Sequence, residues 1–138
     1  MATAPTATSP ATPRPALERW RLSPSGRIRD AEAGDTDRVI AAVMHLWPLA
    51  TAVLGPFSPV LPLLLWLAFR RSSPFVDDHG REVLNAQLTL LVLVCVPCLG
   101  WVLLIPWMVV WIVAFVMGAV AAAGREFFRY PMVLRALR

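Results

Sequence analysis

Residues 73–87 read SPFVDDHGREVLNAQ, and together with Arg70-Arg71 just before them they carry the charge that separates two long apolar blocks. Residues 39–69 precede the stretch and residues 83–124 continue from it, and neither block contains Asp, Glu, Lys or Arg. Ser73 is a good N-cap, Pro74 a good first helical residue, and Asp77 and Asp78 lie near the positive end of the helix that should follow. The stretch predicts a helix that starts at a membrane surface, passes through Gln87 into LTLLVLVCV and ends at Pro97 and Gly100. At 100° per residue, Asp78, Arg81, Glu82, Asn85 and Thr89 share one face. The spacings put Asp78 within reach of Arg81, and Arg81 within reach of Asn85. Gln87 points the opposite way.

Composition agrees with a membrane setting. Of the 138 residues, 57% are hydrophobic, and the mean hydropathy is +0.60. A small soluble domain could not hide two such blocks, whereas a bilayer asks only for runs of about 20 apolar residues. All 13 basic residues are Arg, set against 9 acidic ones, for a net charge of +4. Outside the N-terminal tail these Arg flank apolar blocks rather than forming an aromatic-studded face, which argues against a nucleic-acid partner.

The expected fold class is an all-α integral membrane protein of about four helices: a short broken hairpin followed by a long helical hairpin. Residues 1–37 are expected to be a disordered tail, first rich in Ala, Thr and Pro and then charged, with residues 38–138 as the membrane-embedded domain. Residues 39–69 would span roughly 46 Å as one helix, too long for one straight crossing of a ~30 Å core. They are broken by Gly55-Pro56-Phe57-Ser58-Pro59. One reading is a single kinked span; the other is a hairpin of helices 40–54 and 59–70. The hairpin brings all flanking Arg to one side, as the positive-inside rule prefers, and leaves both termini cytoplasmic. In the second block the turn is expected at 97–106, with Pro106 starting the last helix and Gly124 ending it. Trp47, Trp66, Trp101, Trp107 and Trp111 are expected in the belt or facing lipid. Residues 125–138, REFFRYPMVLRALR, have the mixed character of a segment lying in the interface.

Four features in order resemble a known family: the hairpin opening with His45-Leu46, the central SPFVDDHGREVLNAQLTLL, the span pair, and the closing GREFFRYPMVLR. They are similar to a widespread bacterial family of small membrane proteins of unknown function, related to the Tic-twenty-like component of the chloroplast inner-envelope import machinery. The most specific pieces are His79-Gly80, Glu82, Asn85, Gln87 and Arg129-Tyr130-Pro131. The resemblance implies about four membrane helices and no established enzymatic activity.

The candidate sites divide into a polar face (Asp78, Arg81, Glu82, Asn85, Thr89), the motif residues His79, Gly80, Gln87, Arg129, Tyr130 and Pro131, and a close-packing stripe (Ala114, Gly118, Ala122). The polar face reads first as a structural network and second as a ligand or partner site. Small residues at four-residue spacing let membrane helices approach closely. Cys95 and Cys98 have CxxC spacing but lie in an apolar run, where thiols are blunted. His45 and His79 are the only histidines and show no metal-ligand spacing. No catalytic set, metal site or cofactor is expected. The expected partners are the lipid bilayer and other membrane subunits. The leading expectation is a non-enzymatic accessory or assembly subunit in the bacterial inner membrane. A Tic-like translocation component is second, and a redox or pigment/haem-binding protein third.

Overall fold

The computed structural model describes residues 19–138. The low-complexity part of the expected tail lies outside the described residues; the charged part does not behave as a tail. Strands β1 (Trp20–Leu22) and β2 (Ile28–Asp30) form an antiparallel hairpin pairing Trp20 with Asp30, Arg21 with Arg29 and Leu22 with Ile28. Gly26 supplies the positive φ of the turn. An isolated two-stranded hairpin is marginal in water, and this one is held by chain about 100 residues away. The Asp30 N–H donates to the Arg125 carbonyl and the Phe127 N–H to the Ile28 carbonyl, both at 2.8 Å. Trp20 packs on Phe127 at 5.3 Å. Arg19 closes the base through two bonds to Asp30, of 3.0 and 2.8 Å.

The first apolar block is broken, as its sequence predicts. Helix α1 (Asp35–Leu46) opens with two acidic residues in its first turn, and the Asp37 carboxylate accepts the Gly34 N–H at 3.1 Å. It stops earlier than the expected residue 54. Pro48 removes the donor that would have reached the Met44 carbonyl, and the chain tightens into a 3₁₀ turn at Trp47–Ala50. A single turn at Thr51–Leu54 and a second 3₁₀ turn at Gly55–Phe57 follow, then α2 (Val60–Phe69). Helices of 12 and 10 residues are only about 18 and 15 Å long. The block nevertheless leaves and returns to one end of the bundle. Near its start, Arg38 Nε donates to the Ala123 carbonyl at 2.7 Å, and it ends at the head of the next helix. Its bend, at Gly55, Ser58 and Pro59, lies beside Leu90, Leu91 and Val94.

Helix α3 (Pro74–Cys95) starts as expected, with Ser73 Oγ accepting the Val76 N–H at 3.3 Å. It ends before Pro97, where Val96 is extended (φ −92°, ψ 104°) as a residue preceding proline prefers. The turn is tighter than the predicted 97–106. Only residues 96–98 intervene, with Cys98 at φ +61°, and α4 (Leu99–Ala123) carries Pro106 inside it. The cost is the bond to the Val102 carbonyl, which a helix embedded among apolar neighbours tolerates. Among the described residues, the stretch Gly100–Ala123 of α4 is the one helix long and apolar enough to cross a membrane. At 22 residues α3 is comparably long, about 33 Å, but its first two turns hold the charge.

Helix α3 is the centre of the molecule, buried at most positions from Phe75 to Thr89 by α1, α2, α4 and the C-terminal chain. The core joins Met44, Trp66, Val83, Ala86, Trp111, Phe115 and Tyr130. Trp66 and Trp111 are therefore not belt residues. Trp111 is 2% exposed, and the Trp66 indole donates to Asp77 Oδ1 at 2.8 Å. Trp101, 63% exposed, does face outward.

Candidate functional site

After α4 the chain stays non-helical and straps along α3. The polar face predicted from helical projection holds this strap. Arg129 grips Asp78 with two bonds of 2.6 Å. Glu82, 5% exposed, accepts the Tyr130 N–H at 3.2 Å and faces Arg135 Nε at 3.3 Å and Arg129 Nε at 3.7 Å. Thr89 Oγ1 accepts the Leu134 N–H at 3.0 Å. Asn85 takes the Leu137 backbone from both sides, donating to its carbonyl at 3.0 Å and accepting its N–H at 2.9 Å. Bare backbone near a membrane needs such partners, because hydrocarbon offers none. Arg81 does not join them. It pairs with Asp77 one turn back, not with Asp78 or Asn85, since Arg129 already occupies Asp78 and Leu137 occupies Asn85.

The two histidines are not isolated. His45 on α1 and His79 on α3 are fully buried, and His45 Nε2 meets His79 Nδ1 at 2.8 Å. Tyr130 from the strap closes the group with a hydrogen bond between its hydroxyl and His45 Nδ1. Burial, and behind it the Glu82 charge, pushes the Tyr130 phenol well above its ordinary value of 10, so the hydroxyl remains a donor. His45 Nδ1 then accepts and its Nε2–H donates to His79 Nδ1, an order assigned from the network. The last proton falls on His79 Nε2, which is buried with no partner. The Glu126 carbonyl lies on that side, outside hydrogen-bond geometry. Phe75 sits against the His79 ring at 4.4 Å and Phe127 stacks on it at 5.8 Å.

The small residues make this group possible. A Cβ at Gly118 would lie 2.7 Å from His45 Cε1, and a Cβ at Gly80 would lie 2.9 Å from Trp66 Cγ. Ala114 and Ala122, on the same stripe as Gly118, are buried inside the chain's own bundle, Ala122 beside Ala41 and Phe75. Pro131 and Met132, exposed, turn the strap, Met132 at φ +50°.

Gln87 stands apart on the opposite face. It is 3% exposed, with neither amide atom hydrogen-bonded. Cys95 and Cys98 are free and exposed at the turn between α3 and α4. Among the described residues no group of three or more His, Cys, Asp or Glu is arranged to hold a metal. The histidine nitrogens that face each other are already bonded to each other, which leaves no room between them for an ion.

Sequence reasoning found the strap's anchor points but missed what they hold, and it missed the His45–His79–Tyr130 group. The available signal was that both histidines lie in the same resemblance as Arg129-Tyr130-Pro131.

No curated protein and no solved structure matches the chain. The family match carries no link to the chloroplast import component. A family profile does match, over residues 36–137, from the head of α1 to the end of the strap. The hairpin β1–β2 falls outside it. The chain belongs to the MamF/MmsF family, the magnetosome magnetite crystal formation proteins.

Proposed function

We propose that the protein is a non-enzymatic, multi-pass membrane subunit that acts in magnetite crystal formation by assembling with other magnetosome proteins. One observation carries the reading. The polar groups that could have formed a reactive site on α3 are spent within the chain: Asp78, Glu82, Asn85 and Thr89 on the strap, and His79 on His45, which in turn bonds Tyr130. What remains outward is apolar helix, with Val109, Val113, Val116 and Val120 of α4 exposed. Such a surface is suited to lipid and to neighbouring membrane helices. The shared end of β2, α1 and the strap supports both termini lying on one side of the membrane, with α3 and α4 crossing and the α1–α2 block dipping in and returning.

The test is genetic and biochemical together. In a magnetite-forming host, loss of the gene should change crystal size or shape in electron micrographs. The full chain extracted in mild detergent should bring magnetosome membrane proteins with it. Normal crystals together with a chain that purifies alone would end this reading.

A further inference from the structure

Helix α3 has a second polar feature that the strap does not use. Gln87 sits where two hollows meet. The larger, 380 Å³, is bordered by Gly55, Ser58, Pro59, Leu90, Leu91 and Val94; the smaller, 230 Å³, runs toward Trp66 and Leu137. A volume of 380 Å³ lies within the range of small-molecule sites, and the lining is almost wholly apolar. Leu91 and Val94 are 51% and 47% exposed, so the larger hollow opens sideways from α3. Gln87 is part of that lining, and the donor and acceptor of its buried amide both lack partners. Leaving both unmade is costly, so a polar pair buried this way implies something that meets it.

We propose that this hollow binds the protonated carboxyl head and first methylenes of a long-chain fatty acid. A neutral carboxyl satisfies both atoms at once: its O–H donates to Gln87 Oε1 while its C=O accepts from Gln87 Nε2. An ester or ketone only accepts and would leave Oε1 bare. An ionised head has no counter-charge in this lining and would be penalised. A partner's helix, about 10–12 Å across with its side chains, is too thick for the hollow. Gln87 is five residues past Glu82, roughly 7.5 Å deeper along α3. A small neutral head sunk just below the charged layer, with its chain running on past Leu91 and Val94, fits that depth.

The inference rests on α3 lying in the bilayer, and the experiment separates the two. The full chain is placed in phosphatidylcholine nanodiscs with a fatty acid carrying a diazirine a few carbons from its carboxyl, and labelled residues are mapped by mass spectrometry. Labelling should fall on residues 90–94. Palmitic acid should displace the probe at about one-tenth the mole fraction that methyl palmitate needs. Gln87→Leu should erase that preference while its unfolding temperature stays level or rises, because it removes an unpaired amide. Equal displacement by acid and ester, as a water-filled or merely greasy hollow would give, overturns the proposal, as does a preference that survives Gln87→Leu. If residues 90–94 are labelled neither by this probe nor by a diazirine-bearing alkane, the placement of α3 in the bilayer fails, and the proposal with it.

Discussion

At the scale of single residues, the His45–Tyr130 contact and Gly118 are one device. The imidazole is pinned on one side by Tyr130 and on the other by His79, so it cannot move away from a new methyl group. Gly118→Ala should therefore cost about 1–3 kcal/mol by overpacking. Tyr130→Phe should cost about 1–3 kcal/mol by leaving His45 Nδ1 buried without a donor. Once Tyr130 has lost its hydroxyl, the ring is freer to tilt. The double variant should thus cost less than the sum of the two, as contacting residues do. Denaturant unfolding in mild detergent, followed by tryptophan fluorescence, measures all three. Strict additivity would mean that the ring is not the shared element.

At the scale of elements, the strap and the hairpin have different anchors and should fail separately. Asn85→Leu removes both bonds to Leu137 and should free the end of the strap at a cost of about 1–3 kcal/mol. Trypsin should then cut after Arg135 faster than in the parent, with the β1–β2 hairpin undisturbed. The hairpin hangs instead on Glu126, which receives Ser23, Ser25 and Arg27. The hydrogen bond from Ser23, chiefly, holds its carboxyl below the ordinary 4.5. A depressed acid stabilises the docked state above its ordinary value, and that contribution is lost as pH falls through the lower, folded value. A nitroxide at Leu22→Cys, with Cys95 and Cys98 changed to Ser, should be slow at neutral pH and gain a mobile fraction below pH 4.5. With Glu126→Gln it should be mobile throughout. A pH response that persists in that variant would assign the titration to another group.

These elements also show where the sequence is readable. Helix α3 could be read because its signals are local: a Ser-Pro cap, acidic residues in the first turn, and a proline to end it. The position of Asn85 and Thr89 on one face was equally plain, since it follows from the helical repeat alone. The hairpin could not be read, because Trp20, Ile28 and Asp30 pair with chain near residue 126, and three-residue strands show no periodicity of their own. The burial of Trp66 and Trp111 escaped for a related reason. An indole at a membrane boundary and an indole in a core have the same sequence neighbourhood, and only the packing of α1 and α2 against α3 and α4 distinguishes them. Pro106 misled because proline marks a helix start more often than an interior, and a long apolar helix can lose one hydrogen bond without ending.

At the scale of the whole molecule, the charged residues collect at one end and the two cysteines lie at the other. Asp30 and Phe127 bond to Arg125 and Ile28 across the N- and C-terminal chains, while Cys95 and Cys98 sit exposed at the α3–α4 turn. The 22 residues of α3 separate these ends by about 33 Å, enough to cover a ~30 Å hydrocarbon core. If α3 and α4 both cross, a membrane-impermeant maleimide should reach the native cysteines from one face only. The same reagent should reach Arg138→Cys, in a background with Cys95 and Cys98 changed to Ser, from the other face only. Sealed vesicles of both orientations supply the two arms, and detergent should make every site reactive. The long apolar helix α4 would give this result even if α3 lay flat on the surface, so Asn85→Cys is the deciding position. In a crossing α3 it lies below the charged layer, where lipid shields it from both sides even with the end of the strap released, and it reacts only after detergent is added. If Asn85→Cys reacts in intact vesicles at the rate of Arg138→Cys, α3 is a surface helix and the chain crosses once.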